Sequence, residues 1–496
     1  MTRALPSLAE RARRSIADPE LQRALGTATA QLGRGSVLMR TDPALVEARR
    51  RAGGIRREVL DDLDGWLDRL QARLEALGTT VHRAATPEDA RRIIVRIATT
   101  EDAQLVVKSK SMATEEVHLN GALEEAGIEV VETDLGEYII QLARETPSHI
   151  IVPAVHKTIS QVARLFSDAA ATPLPEDRAA LCAFARQRLR DKFLAADMGI
   201  TGANFVAADT GTIFLVSNEG NARMCSSLPR VHVCLMPVEK VIPRLADAGV
   251  LVPLLTRSAT AQALTAYVSM ITGPRRSGEI DGPERLHVVF LDHNRRSLLG
   301  TPYEEMLACV RCGACLNVCP VYQRIGGHAY DAVYSGPMGA VLTPLLSAGE
   351  EGRDLPDASS LCGACTEACP VGIPLADLLV RLRADLRRPG SPVSAASPWP
   401  GAVSLPPAKS DGRARLHPPF RVGSRRLAFR AWAAAWASPA GYRLSAAASQ
   451  RLAPLVPARL WRRIPLISGW AEGREVPLPA ARSFRHRWAS RGEESW

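Results

Sequence analysis

The sequence predicts an α/β domain with a mostly parallel sheet, followed by a smaller helical domain built around cysteines and then by a basic tail. Three observations carry that expectation. Short β-branched runs alternate with helical patterns through the first three hundred residues; seven of the ten cysteines fall in two runs; and the positive charge is concentrated at the C-terminus.

Residues 1–60, rich in Ala, Arg, Leu and Glu with little Gly or Pro before Gly53-Gly54, read as helical and are expected to pack against the next segment of the chain. Over 61–300 the runs Gln104–Lys108, Ile128–Glu132, Ile150–Val152, Gly211–Val216 and His287–Leu291 read as strands separated by helices. Residues 301–388 show little strand signal, and Leu375, Leu378, Leu379 and Leu382 fall at helical spacing. A Pro-, Ser-, Ala- and Gly-rich linker is expected at 389–420, and a basic, partly disordered tail at 421–496.

The chain has 496 residues, 46% of them hydrophobic, which is enough for two or three cores. It contains no apolar stretch long enough to span a bilayer. From Ala408 onward 17 Lys/Arg stand against 5 Asp/Glu, an excess of 12 that accounts for the whole net charge of +10. The body is therefore near neutral, which argues against a nucleic-acid partner. Solvated charge, an acidic partner or a membrane surface remain as roles for the tail.

The cysteine runs are Cys309-x2-Cys312-x2-Cys315-x3-Cys319-Pro320 and Cys362-x2-Cys365-x3-Cys369-Pro370. Two-residue gaps let one turn of backbone offer three soft thiolates to one face of an iron–sulfur cluster, while the cysteine before each proline reaches the other cluster. On that rule Cys309, Cys312, Cys315 and Cys369 hold one cluster, and Cys319, Cys362 and Cys365 supply three corners of a second. Ser359 stands where the second run lacks a cysteine. That leaves three outcomes: a serine-ligated or labile [4Fe–4S], a [3Fe–4S], or a ligand from Cys182, Cys225 or Cys234, which as free thiols otherwise read as buried hydrophobes. Structural zinc has no use for a third cysteine and a Cys-Pro. Disulfides require an oxidising compartment, and the first twenty residues lack an apolar signal core, so reduced, metal-bound, cytoplasmic thiols are expected.

In the α/β region, Lys108-Ser109-Lys110-Ser111 follows a strand, where such sheets place ligands. Lys108, Lys110 and Arg275, the last in the loop Thr272–Glu279, are the candidates for holding a substrate anion. Asp134 with Glu137 reads as a capping box. Glu219 is a candidate acid or base, and His149 and His156 are read as structural. No dinucleotide fingerprint, P-loop or zinc-protease motif is present.

The segments KSKSM (108–112), EEVHLN (115–120), ETDLGEYIIQL (132–142) and PSHIIVPAVHK (147–157), the TGT and NEGN pair, ITGPRR and both cysteine runs together resemble the LutB family. So does GWAEGREVPLPAARSFRHRW (469–488) near the C-terminus. That family is the iron–sulfur subunit of a three-component bacterial L-lactate utilization system. The resemblance implies a LUD domain, similar in fold to the NagB/RpiA/CoA-transferase group, followed by an all-α dicluster ferredoxin domain. It implies two iron–sulfur clusters, [4Fe–4S] at the first site and [4Fe–4S] or [3Fe–4S] at the second. It also implies two partners, a cysteine-rich subunit similar to heterodisulfide reductase and a small LUD subunit, which together oxidise L-lactate to pyruvate. The family's second run likewise has three cysteines after a serine, so Ser359 is no departure from it.

Overall fold

The computed structural model describes residues 6–388 and, in the C-terminal part, 430–434, 436–452 and 488. Helices α1 (Leu8–Ala17), α2 (Pro19–Leu32), α3 (Arg34–Thr41) and α4 (Pro43–Asp61) open the chain. Ser7 forms a capping box with Glu10, and Asp18 and Asp42 cap α2 and α4 ahead of a proline in the first turn. These helices have no core of their own. Leu25, Met39 and Ile55 share one hydrophobic core with the cysteine-bearing residues. Helix α4 runs straight through Gly53-Gly54, and a Cβ on Gly53 would lie 2.9 Å from the Val371 carbonyl oxygen. The missing side chain lets α4 press against the backbone that follows Cys369.

Helix α5 (Leu63–Ala76) buries Leu63, Leu67, Leu70 and Leu74, spaced three or four apart, each worth about 2 kcal/mol. Ten strands follow: β1 (Thr80–Ala84), β2 (Leu105–Lys108), β3 (Glu129–Glu132), β4 (Met198–Thr201), β5 (Phe205–Ala207), β6 (Thr212–Ser217), β7 (Val231–Pro237), β8 (Val241–Ile242), β9 (Tyr267–Ile271) and β10 (Arg285–Leu291). Six form a parallel sheet in the order β1-β10-β7-β4-β2-β3. Successive residues alternate between its two buried faces. Val231, Val233, Val289 and Leu291 enter one core; Cys234, Met236, Val288 and Phe290 enter the other. This is the α/β architecture with a parallel sheet that the sequence predicts.

Two strand expectations change. Gly211–Val216 belongs, as β6, to a second, four-stranded sheet of order β8-β5-β6-β9. Ile150–Val152 is not a strand, because the N–H groups of Ile151 and Val152 donate to His149 Nδ1 (3.0 and 3.2 Å) and so are unavailable to a ladder.

From Arg296 to Leu386 the elements are short helices and 3₁₀ turns, with no strand. The helix Leu375–Leu386 buries the four leucines the spacing singled out. Two compact units divide the chain, Met1–Leu405 and Pro406–Trp496, so the helical, α/β and cysteine-bearing segments form one body. The linker and most of the tail fall outside the described residues; within the tail a helix spans Pro439–Leu452. No helix among the described residues is long and apolar enough to cross a membrane.

Candidate metal centre

The two cysteine runs are folded alike, fifty residues apart. Arg311 (φ 59°) and Leu361 (φ 56°) are left-handed immediately before Cys312 and Cys362, and Gly313 (φ 76°) and Gly363 (φ 82°) follow each cysteine. The helices Ala314–Asn317 and Ala364–Ala368 then carry Cys315 and Cys365. In this repeat Ser359 occupies the place of Cys309.

Cys309, Cys312, Cys315 and Cys369 line one small pocket, with apolar side chains such as Met306, Met338 and Ile373 forming the rest of its wall. Three of these four come from the first run and one from the second, as the exchange of ligands requires. Cys319, Cys362 and Cys365 lie within electrostatic range of one another, and Cys315 and Cys365 join the two groups. The first group is buried except for a partly exposed Cys309; in the second, Cys362 is exposed.

The donor chemistry fits iron–sulfur clusters. Backbone N–H groups of Arg311, Tyr322 and Ile373 point at the sulfurs of Cys309, Cys319 and Cys369 at 3.4, 3.5 and 3.4 Å. Those of Ala314, Met338, Ala364 and Thr366 serve Cys312, Cys315, Cys362 and Cys365. Such donors favour thiolate, yet burial pushes Cys365 and Cys369 up to about 11 and Cys312 and Cys315 higher still. A bound metal resolves that conflict by replacing the protons.

Charge around the first group fits as well. Buried Glu239 pairs with Arg311 (2.8 Å) and Arg295 (2.7 Å), and Arg295 also pairs with Glu116 (2.7 Å), which accepts from Tyr334 Oη (2.6 Å). Arg56 donates to the carbonyls of Leu307, Ala308, Val241 and Glu239. Lys240 is held down to about 8, chiefly by burial and then by Arg311. Arg56, Lys240 and Arg311 each lie within electrostatic range of Cys309, a cationic surrounding suited to a thiolate-ligated cluster of net negative charge.

The remaining candidates for a fourth ligand at the second site stay elsewhere. Cys225 bonds Thr133 Oγ1 (3.3 Å) and Cys234 bonds the Gly202 carbonyl (3.4 Å), both deep in the α/β domain, and Cys182 is exposed on the helix Arg178–Ala195. Ser359 Oγ accepts from the Leu361 N–H (3.1 Å), and it is Ser360 that bonds the Cys362 thiol.

A cluster of buried charged side chains lies near the first group, connected to it through His149. The chain leaves β2 for β3 on one side and returns to β4 on the other, a topological switch point at which parallel sheets bind ligands. Lys108, Ser109 and Lys110 stand at the end of β2, Glu132 to Asp134 at the end of β3, and Gly202 just past β4. Lys108 departs from its expected role. It is fully buried and already neutralised by Glu132 (2.7 Å) and Glu115 (3.0 Å), so it supports the site and offers no charge to a substrate. Arg275 also departs from expectation. It precedes the N-terminal end of β10, the opposite edge of the sheet, and pairs with Glu284 (2.8 Å). Lys110 lies among Asp134, Glu137, Glu219 and Glu115, with burial lowering its pKa.

Asp134 caps the helix Leu135–Ala143 as predicted, but Glu137 does not complete a capping box. Its side chain turns inward, where burial and then Glu132 raise its pKa well above the carboxylate range. Glu137 Oε1, Glu132 Oε2 and Asn120 Oδ1 are buried without a protein hydrogen-bond partner. Burial, then Asp134, raises Glu219 to about 7. His149, structural as expected, links the charged cluster and the cysteines: Lys110 is its charged neighbour, its Nε2 lies 3.1 Å from Asn317 Oδ1, and a Cβ on Gly313 would come within 3.1 Å of its ring. Sequence reasoning missed Glu116, Glu132, Glu239 and Asn317 because their partners are distant in the chain; only Glu132 and Glu239, at the end of β3 and just past β7, carried a local signal.

Comparison with known proteins agrees with this geometry. The LUD domain family matches residues 67–291, the 4Fe-4S dicluster domain 305–373, and the lactate utilisation protein B C-terminal family 420–493. Lactate utilization protein B of Oceanobacillus iheyensis is 41% identical over 98% of this chain and 97% of its own. That of Bacillus velezensis is 49% identical over 68% and 71%, and an uncharacterized electron transport protein of Escherichia coli, YkgF, is 46% identical over 75% and 79%. A solved DUF162 family structure from Deinococcus radiodurans covers 46% of this chain at 14% identity with a TM-score of 0.27, too low to support an argument. With a LUD domain, a dicluster domain and full-length similarity to lactate utilization proteins, the chain belongs to the lactate utilization protein B family.

Proposed function

We propose that the chain is the electron-transfer subunit of a complex that oxidises L-lactate to pyruvate, not a stand-alone enzyme. The observation that carries this reading is the pairing of a buried cysteine site with a second one whose Cys362 is exposed. Cys309, Cys312, Cys315 and Cys369 hold the first cluster, a [4Fe–4S]. Cys319, Cys362 and Cys365 hold the second, a [4Fe–4S] or [3Fe–4S]. When bound, the clusters supply one-electron carriers whose potentials span roughly −700 to +450 mV, tuned by charge, sulfur hydrogen bonds and exposure.

Oxidation of L-lactate to pyruvate releases two electrons and two protons. At the charged cluster Lys110, which lacks the close ion pairs of Lys108, is the residue to meet the substrate carboxylate, and Glu137, with its raised pKa, is suited to holding a proton next to it. Apolar packing around the first group keeps water from Cys312 and Cys315. The partners are the cysteine-rich subunit similar to heterodisulfide reductase and the small LUD subunit, docked where Cys362 reaches the surface. The α/β domain is assigned to the NagB/RpiA/CoA-transferase group. The complex is cytoplasmic, with the basic tail resting on a partner or the inner membrane face.

A second reading, in which the LUD domain binds a small acid and the clusters are structural, draws on the unpartnered carboxylate oxygens of the charged cluster. Anaerobic EPR with iron and sulfide quantification separates the two. About eight irons per chain with two interacting reduced signals, and cluster reduction by L-lactate within turnover once the partners are added, support the relay. Clusters that dithionite reduces but L-lactate with both partners never does would leave the binding reading. Stoichiometric zinc in place of iron would end the electron-transfer reading.

A further inference from the structure

Away from the cysteines, the loop between the helices Leu135–Ala143 and Ile159–Ala170 meets the 3₁₀ turn His328–Tyr330. Glu145, His156 and His328 meet there, each offering one ligand atom within 4.8 Å of the others. The two imidazoles stand edge to face, 4.5 Å between centroids. Their hydrogen bonds fix the tautomers. His328 Nε2 lies 2.7 Å from the Thr146 carbonyl, and His156 Nε2 lies 2.7 Å from Glu145 Oε2. Both oxygens only accept, so each Nε2 carries the proton and each Nδ1 is left as a bare lone pair. His156 Nδ1 is buried with no hydrogen-bond partner, in a side chain only 9% exposed. A buried acceptor left unmade calls for an explanation.

We propose that Glu145, His156 and His328 bind one divalent transition-metal ion of the zinc class. Two imidazoles and a carboxylate are a donor set for borderline-soft cations, and three protein ligands leave a fourth position to water. Donors around a tetrahedral ion at 2.0–2.1 Å stand about 3.4 Å apart, so the three groups must close by about 1 Å, and Glu145 must leave the N–H of His156 Nε2 to reach an ion held on the Nδ1 side. Glu145 and His328, both exposed, can do so. Lys157, now ion-paired with Glu145, must release it. The ion ties the loop that carries His149 to the segment following the first cysteine run. His149 in turn bears on Asn317 and Gly313, so the site braces the first cysteine loop without contacting the cysteines.

The test uses the full-length, cluster-loaded protein, incubated anaerobically with zinc sulfate and desalted, then read by metal analysis and zinc K-edge absorption. One zinc per chain is expected, with a nitrogen/oxygen shell at about 2.0–2.1 Å, no sulfur at about 2.3 Å, and unchanged iron. His156→Ala and His328→Ala should each weaken binding at least tenfold, and Lys157→Met should strengthen it. If His156→Ala loses iron or folding, the exposed His328→Gln decides alone. Zinc retained equally by wild type and the His328 variants, no zinc retained by the wild type, or a sulfur shell at the zinc would each overturn the proposal.

Discussion

Glu239→Gln tests whether the cysteine-bearing segment is locked to the α/β domain by buried charge. Glu239 has no exposed surface and holds two arginines, Arg295 and Arg311, which are themselves buried. Removing one partner of a buried pair costs about 3–5 kcal/mol, because it leaves an uncompensated charge, not because the pair was strong. The glutamine amide keeps one acceptor oxygen and Arg295 keeps Glu116, which places the expected loss near the lower end, about 3 kcal/mol. For a body this large each kcal/mol moves the midpoint by about 2 °C, so Tm should fall by about 6 °C. The assay is circular dichroism of the cluster-loaded protein at a matched scan rate, with iron measured before each run. Since an unpaired arginine carries the cost, Glu239→Gln with Arg311→Met should recover at least half of the loss. A single variant within 1 °C of wild type, or a double variant no better than the single, would refute the reasoning.

Gly313→Ala puts a Cβ 3.1 Å from His149 and Ile151 on a residue at φ 76°, a left-handed conformation that alone costs alanine about 1–2 kcal/mol. The first site should lose its iron while the second keeps it; full iron content would contradict this. Lys108→Met, which strands the buried Glu132 beside Glu115, should destabilise by about 3–5 kcal/mol. Lys110→Met, by contrast, should change stability by less than about 1 kcal/mol while raising the KM for L-lactate; equal stability losses would refute the distinction. Because its folded pKa is raised, Glu137 takes up a proton on folding, and the stability it contributes at low pH is lost as pH rises from about 4.3 through the folded value. Urea midpoints of Glu137→Gln should therefore gain on wild type from pH 5 to pH 8; a constant gap would show that Glu137 is not the group responsible.

How much of the fold was legible in the sequence depends on how local each signal is. Both cysteine runs could be read because ligand spacing within a turn is a property of a few adjacent residues, and the repeat extends to left-handed Arg311 and Leu361. Strands β2, β3 and β10 could be read because a parallel sheet buried on both faces demands unbroken β-branched runs. The role of Lys108 could not, since Glu132 reaches it only through sheet pairing, and Glu239 meets Arg311 and Arg295 only when the strands align. Ile150–Val152 misled because its apolar run fits a strand, while one imidazole takes its N–H groups. Glu137 misled in the same way: a capping residue and a buried acid look identical three positions after an aspartate.

The arrangement of the sheet explains why the charged cluster and the cysteines are neighbours. All six strands of the parallel sheet point one way, and their C-terminal ends carry Lys108, Glu132, Thr201, Glu239 and Asp292. Backbone carbonyls and switch-point gaps at that edge attract polar groups, and this chain answers with Glu116, Arg295, Arg311 and Tyr334, which join the edge to the first cysteine loop. At the opposite edge Arg275 pairs with Glu284 instead. Cys312 and Cys315 are buried among apolar side chains such as Met306 and Met338, whereas Cys362 follows the exposed Ser360 and Leu361. At the position equivalent to Cys309, Ser359 spends its oxygen on its own turn. The two halves of the repeat differ in a single ligand and in their surroundings, one built to exclude solvent and the other to meet it.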